Sequence, residues 1–267
     1  MTLMRIDRLI AAALLGLTLC LAACDQAAPL GDDLSAARAA VAERDWPLAE
    51  RLLRRCLREE QLANRRWEAW NMLLVSTNAH AVEPLASLEY LEVMLEEFAD
   101  SDDKTKSILE RMGVITEELH RHGRSADVWS AYIGLSGLSS EELVFGYRRL
   151  AATHFRVRRF DAGEGVLQQC LALHLPSNEK IMCMYDLADL NIGRQRWQEA
   201  ADMALQILDA EADGELAGLT GYLLADALEQ LGKTDDALQQ FQLARDFYPN
   251  TVVIDKRIAQ LRKKSKK

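Results

Sequence analysis

From residue 34 to its end the chain shows no sustained alternation of apolar and polar positions, so it predicts no strands. The apolar positions follow a longer beat. A Leu-Ala step stands at Leu150-Ala151, Leu187-Ala188 and Leu224-Ala225, each 37 residues after the last. Phe160 and Trp197 keep the same interval, and so do Leu167, Ala204 and Phe241. A fixed period of this size means that one supersecondary unit is copied and stacked, each copy burying its apolar face only against its neighbours. Abundant Ala, Leu, Glu and Arg with only five prolines favour helix throughout.

The last copy is the clearest. It runs from Tyr222 through Ala225, Gly232, Ala237, Phe241 and Ala244 to Pro249. Small Ala225 lets a first helix approach a second, Gly232 permits the turn between them, and Pro249 cannot continue a helix. These residues resemble the tetratricopeptide repeat (TPR), a helix–turn–helix of about 34 residues. The preceding copy matches at Leu187, Ala188, Trp197 and Ala200, but has Ala204 where a bulky residue is usual. The copy before it keeps Leu150, Ala151, Phe160, Leu167 and Pro176, with Gly163 replacing the usual alanine. Earlier units are fainter. Trp46–Leu53 reads as a turn and second helix, Ala86 follows Ala49 by 37 residues, and Gly123–Tyr132 parallels Gly232–Phe241. The resemblance implies an all-α, TPR-like helical-hairpin solenoid over residues 34–267. Its six hairpins are expected near 34–63, 67–100, 105–140, 144–177, 181–214 and 218–251, with a closing helix at 252–264.

In this family the first helix of each unit lines a concave face. Transferred to this chain, the groove positions are Tyr185 and Asp189 in one unit and Tyr222 and Asp226 in the next, with Arg148, Phe155 and Arg156 nearby in the unit before. Each Tyr–Asp pair is spaced i, i+4, so ring and carboxylate share a helix face. Such a groove suits a protein segment carrying Lys or Arg with apolar anchors. The bland reading is that the tyrosines cover the core edge and the aspartates are merely solvated. The carboxylate clamp of some family members wants neutral or basic groups where these aspartates stand, and is expected to be absent.

Residues 1–23 read as a removable signal. Arg5 and Arg8 precede the apolar run Leu9–Ala23, which is shorter than the roughly 20 residues of a spanning helix. Its ending, Leu21-Ala22-Ala23-Cys24, resembles the lipobox of bacterial lipoproteins. That resemblance implies cleavage before Cys24, a diacylglyceryl group on its thiol with a third acyl chain, such as palmitate, at the same terminus, and a short tether over 24–33. Several acyl chains exceed the two signals that stable anchoring needs. The protein is therefore expected on a membrane of the bacterial envelope, facing the periplasm. Asp25, next to the lipidated cysteine, tips the expectation to the inner over the outer membrane.

The net charge of −9 argues against nucleic acid as a partner. Losing Arg5, Arg8 and Asp7 with the signal leaves about −10. Cys56, Cys170 and Cys183 remain after processing, an odd number in an oxidising compartment. One disulfide plus a free thiol is possible, but the preferred reading is three buried packing residues. Cys56 and Cys170 fall on the packing stripe of a second helix.

Other signals dissolve on inspection. Asp209–Gly214 begins like a calcium loop, but its twelfth position is Thr220 rather than glutamate, so a polar turn is expected. His120 and His122, two apart on a helix, would point apart and hold no metal. Trp67 and Trp70 should pack a helix on its neighbour. The run Arg262–Lys267 suits a helix C-terminus or anionic headgroups. No cofactor or metal is expected, and no enzyme, since repeats claim nearly the whole chain. The expectation is a membrane-anchored scaffold for an envelope complex. The alternatives are a recruiting lipoprotein that binds a glycan or small ligand, and a wall-cleaving enzyme on a solenoid.

Overall fold

A computed structural model describes residues 33–79, 84–210 and 214–264, and every regular element among them is helical. In chain order these are α1 (Asp33–Ala42), α2 (Trp46–Glu59), α3 (Ala63–Ala79), α4 (Pro84–Glu97), α5 (Asp102–Glu118), α6 (His122–Ile133) and α7 (Ser140–Arg156). They continue with α8 (Phe160–Ala172), α9 (Ser177–Gly193), α10 (Trp197–Asp209), α11 (Gly214–Gln230), α12 (Thr234–Ala244) and α13 (Thr251–Lys264). The expected signal, Cys24 and most of the tether lie outside the described residues, as does part of Asp209–Gly214. No described helix is long and apolar enough to cross a membrane.

The chain divides into two compact units, one ending at Tyr90 and the other beginning at Leu91. In the first, α1, α2 and α3 pack on alanines with almost no exposed surface, Ala37, Ala49 and Ala69. Asp33, expected to end the tether, is instead the buried first residue of α1, held by Arg55. Arg38 reaches from α1 to Glu68 on α3 with two bonds of 2.5 and 2.7 Å. Trp70 is buried with its ring 5.8 Å from that of Tyr90, so it packs helix on neighbour as its spacing implied.

The second unit contains four hairpins (α5/α6, α7/α8, α9/α10 and α11/α12) closed by α13. Their turns share one geometry. Gly232 is left-handed (φ 78°), and the residues at its place one and two repeats earlier, Gln195 and Arg158, are left-handed too (both φ 58°). Arg44 and His120 do the same in other turns. Glycine is therefore the comfortable occupant of this turn and not an obligatory one; each non-glycine accepts a cost of about 1–2 kcal/mol. α7 starts with a reciprocal capping box between Ser139 and Glu142. α12 ends at Ala244, short of Pro249, because the following turn lays its backbone over Gly218 and stacks Tyr248 on Tyr222.

Large rings sit on the small residues of the neighbouring helix. Gly163 lacks the usual alanine methyl because the Phe155 ring occupies that place. Gly113 lies under the fully buried Trp129 in the same way. Ala204 is tolerated because α11 supplies the bulk from its own side, Leu223 and Leu224.

The cysteine expectation is corrected. Cys170, near the end of α8, and Cys183, in α9, form a disulfide with Cα atoms 6.4 Å apart. Both are fully buried, as expected of packing residues, but Cys170 on its packing stripe meets Cys183 at the seam between two hairpins. Among the described residues Cys56 is a free buried thiol, its pKa raised chiefly by burial.

Two stability outcomes follow. Gly113→Ala gains about 1 kcal/mol of helix propensity but overpacks Trp129, at about 1–3 kcal/mol. Denaturant midpoints should fall, whereas Gly165→Ala, with open space around it, should raise them; a stable Gly113→Ala contradicts the packing. Reducing the disulfide, whose cysteines are 13 residues apart, should remove about 2–4 kcal/mol in a chain-entropy account. A denaturation curve insensitive to reductant would show that the bond does not constrain the fold.

Candidate functional site

The first helices α7, α9 and α11 lie side by side, and α13 extends the row beyond α11. Their shared face carries the groove residues expected from the sequence. The structure separates those residues into two classes.

Most of them already have partners inside the chain. Arg148 makes a fork to Asp186 on α9, with bonds of 2.6 and 3.1 Å. Arg156 donates to Glu117 at 2.9 Å. Glu117 is buried and also accepts from Trp129 Nε1 at 2.7 Å and from Arg149 at 2.5 Å. One carboxylate thus gathers α5, α6 and α7. Phe155 is half-buried over Gly163. Tyr222 packs edge-on against Phe241, with centroids 5.1 Å apart, and stacks on Tyr248 at 4.6 Å. Asp226 is bonded by Arg257 from α13, which also reaches Glu229 at 2.8 Å. Lys264 completes that cluster on Glu229 at 2.6 Å, so one member of the basic C-terminal run is committed to an acid. Tyr222 thus packs, partly buried, against the core cluster of Ala225, Phe241 and Ile258.

The remaining pair is different. Asp189 forms no ion pair among the described residues. It is an exposed residue with the walls of a depression on one side. Burial, and then the neighbouring Asp186, raise its pKa. Tyr185 is half-buried beside it, its hydroxyl pushed up to about 12 by burial and by the nearby Asp189 and Asp186. The two Tyr–Asp pairs, alike in sequence, are therefore unlike in state.

Asp189 borders a depression of about 370 Å³ between α7 and α9, lined also by Phe145, Arg148, Arg149, Ala152, Phe155 and Asp186. Sequence reasoning missed Asp186, Phe145 and Arg149. A signal existed for the first of these, since Asp186 stands 37 residues after Arg149, an exchange of charge sign at one repeat position.

His120 and His122 were placed on one helix pointing apart, and this is corrected. α5 ends at Glu118, the left-handed backbone of His120 turns the chain, and the two rings come within 5.9 Å. Among the described residues no group of three or more His, Cys, Asp or Glu side chains is placed to hold a metal ion. Thr220, the twelfth position of the discarded calcium loop, is fully buried inside α11.

No family model and no curated protein matches the chain. Solved structures do. The apo form of RapI is similar with a TM-score of 0.60 and 9% identity, over 89% of this chain and 72% of that one. BtubC from P. vanneervenii gives 0.57 and 14%, over 82% and 91%. A Podosopora anserina protein described as a kinesin light chain with nearly identical TPR-like repeats gives 0.52 and 15%, over 68% and 94%. At these identities the likeness establishes the fold, an all-helical array of TPR type, and nothing beyond it.

The raised pKa of Asp189 has a measurable consequence. The folded state binds this proton more tightly than an unfolded aspartate, whose pKa is about 3.9. Stability therefore rises as pH falls through the raised pKa, and at neutral pH the ionised carboxylate is a burden on the fold. Asp189→Asn should melt at a higher temperature than wild type at pH 7, with the advantage shrinking as pH approaches 4. A lower melting temperature at pH 7 would mean that Asp189 has a stabilising partner.

Proposed function

We propose that this protein is a lipid-anchored scaffold of the bacterial envelope, more readily of the inner than the outer membrane, that holds a partner protein by a segment laid along α7, α9 and α11. The observation that carries the binding half is the unpaired Asp189 beside Tyr185, on a depression with aromatic walls whose other charged residues, Arg148, Arg149 and Asp186, are paired. Desolvating an unmatched charge costs stability, and a bound cationic group would offset that cost. The anchoring half rests on Arg5, Arg8, the run Leu9–Ala23 and the lipobox-like Leu21–Cys24. The net negative charge fits a protein partner with basic and apolar character and disfavours nucleic acid.

The groove is tested by crosslinking in the native host followed by mass spectrometry. The informative variant is Ala152→Trp, which fills the depression without changing charge. Charge reversal at Asp226 is unsuitable, because it would strand Arg257. A partner captured by wild type should be lost from the folded Ala152→Trp protein; undiminished capture would remove the groove from the account. For the anchor, Cys24→Ala should leave the membrane fraction as a soluble or unprocessed form. A variant still acylated and processed like wild type would refute the lipobox reading.

A further inference from the structure

Asp189 and Asp226 stand at the same repeat position 37 residues apart, and the chain supplies a partner to one of them. On Asp226 sits a guanidinium. Arg257 of α13 bonds the carboxylate, bonds Glu229, and lies over the Phe241 ring with 5.4 Å to its centroid. Arg257 is supplied by the helix that follows α11 in the row. The residue 37 positions before Arg257 is Thr220, which is fully buried with its hydroxyl unbonded and cannot serve Asp189 in the same way. Glu229 and Phe241 are likewise replaced one repeat earlier, by Ile192 and Ala204, so Asp189 repeats the carboxylate of that cluster and not its partners.

The surroundings of Asp189 complete the case. Arg148 is matched by Asp186, and Arg149 by Glu117. The one unmatched charge at the depression is therefore negative. Of its two rings, Phe145 is held edge-on by Trp129 at 5.5 Å and already has Arg149 over it, 5.9 Å from its centroid, while Phe155 is seated over Gly163. A flat cation that forks to a carboxylate and stacks on a ring fits such a place better than a compact ammonium does.

We propose that Asp189 receives one arginine side chain of the bound partner segment, with its guanidinium on the carboxylate and its plane against Phe155. The proposal rests on the groove reading above and specifies its chemistry.

The test uses the full-length protein in detergent with alanine methyls labelled, following the Ala152 resonance by NMR. The probes are acetyl-Ala-Arg-Ala-amide and its citrulline counterpart, which keeps the shape and loses the charge. The arginine peptide should shift Ala152 saturably, and the citrulline peptide should bind about tenfold or more weakly, as for loss of a charge-assisted fork. Asp189→Asn, its fold checked by circular dichroism, should weaken the arginine peptide to the citrulline level. Equal binding of the two peptides, no saturable shift with either, or indifference to Asp189→Asn overturns the proposal. In the host, partner capture abolished by Ala152→Trp but untouched by Asp189→Asn would also overturn it while leaving the groove standing. Capture untouched by Ala152→Trp would bring down the groove reading and the arginine site with it.

Discussion

Close approach of successive helices over alanine and glycine is the constraint on which the rest depends. A helical hairpin cannot bury its apolar stripe alone, so each copy must seat itself on the next. Where the contact residue is small, the neighbouring helix comes near enough for a ring to cover the gap, as Trp129 covers Gly113 and Phe155 covers Gly163. Ala188, Ala200, Ala204, Ala225 and Ala237 are all without exposed surface. Repetition of such seats at a fixed interval brings the first helices into a row. It also places chemically equivalent residues, such as Asp189 and Asp226, at equivalent points of that row.

Electrostatics then decides which of those points are finished and which are open. Glu117, buried and bonded by Trp129, Arg149 and Arg156, would be expensive if any one of its partners were removed. Arg148–Asp186 ties α7 to α9, and Arg257 ties α13 to Asp226 and Glu229. These pairs satisfy charges that the packing has partly desolvated. Asp189 is left over, and a group whose local cost has no structural return is a reasonable place to look for function.

Much of the architecture was legible in the sequence because the repeat is a one-dimensional signal. The 37-residue interval, Gly232 at a turn and the alanines at the crossings were enough to predict an all-helical repeat array. What the pattern could not show was which residue of one helix meets which residue of another. Periodicity put Cys170 on a packing face, yet could not reveal that the facing residue was Cys183. It raised Asp189 and Asp226 together, yet gave no sign that Arg257 on the closing helix would claim only one. The turn rule was legible at Gly232 but hidden at Gln195 and Arg158, since side-chain identity does not announce a left-handed backbone that tertiary packing enforces. The histidines misled for the same reason: two residues apart means opposite faces only while the backbone remains helical.

Hydrogen–deuterium exchange on the full-length protein, free and bound to the partner captured in the host, tests the central claim most directly. It reads which helices the partner covers without altering a residue. The account predicts that binding slows exchange in α7 and α9, including the turns that carry Ala152 and Asp189, and leaves α8 and α10 as they were. Protection confined to the second helices, or to α13 alone, would contradict it and move the binding surface off the first-helix face.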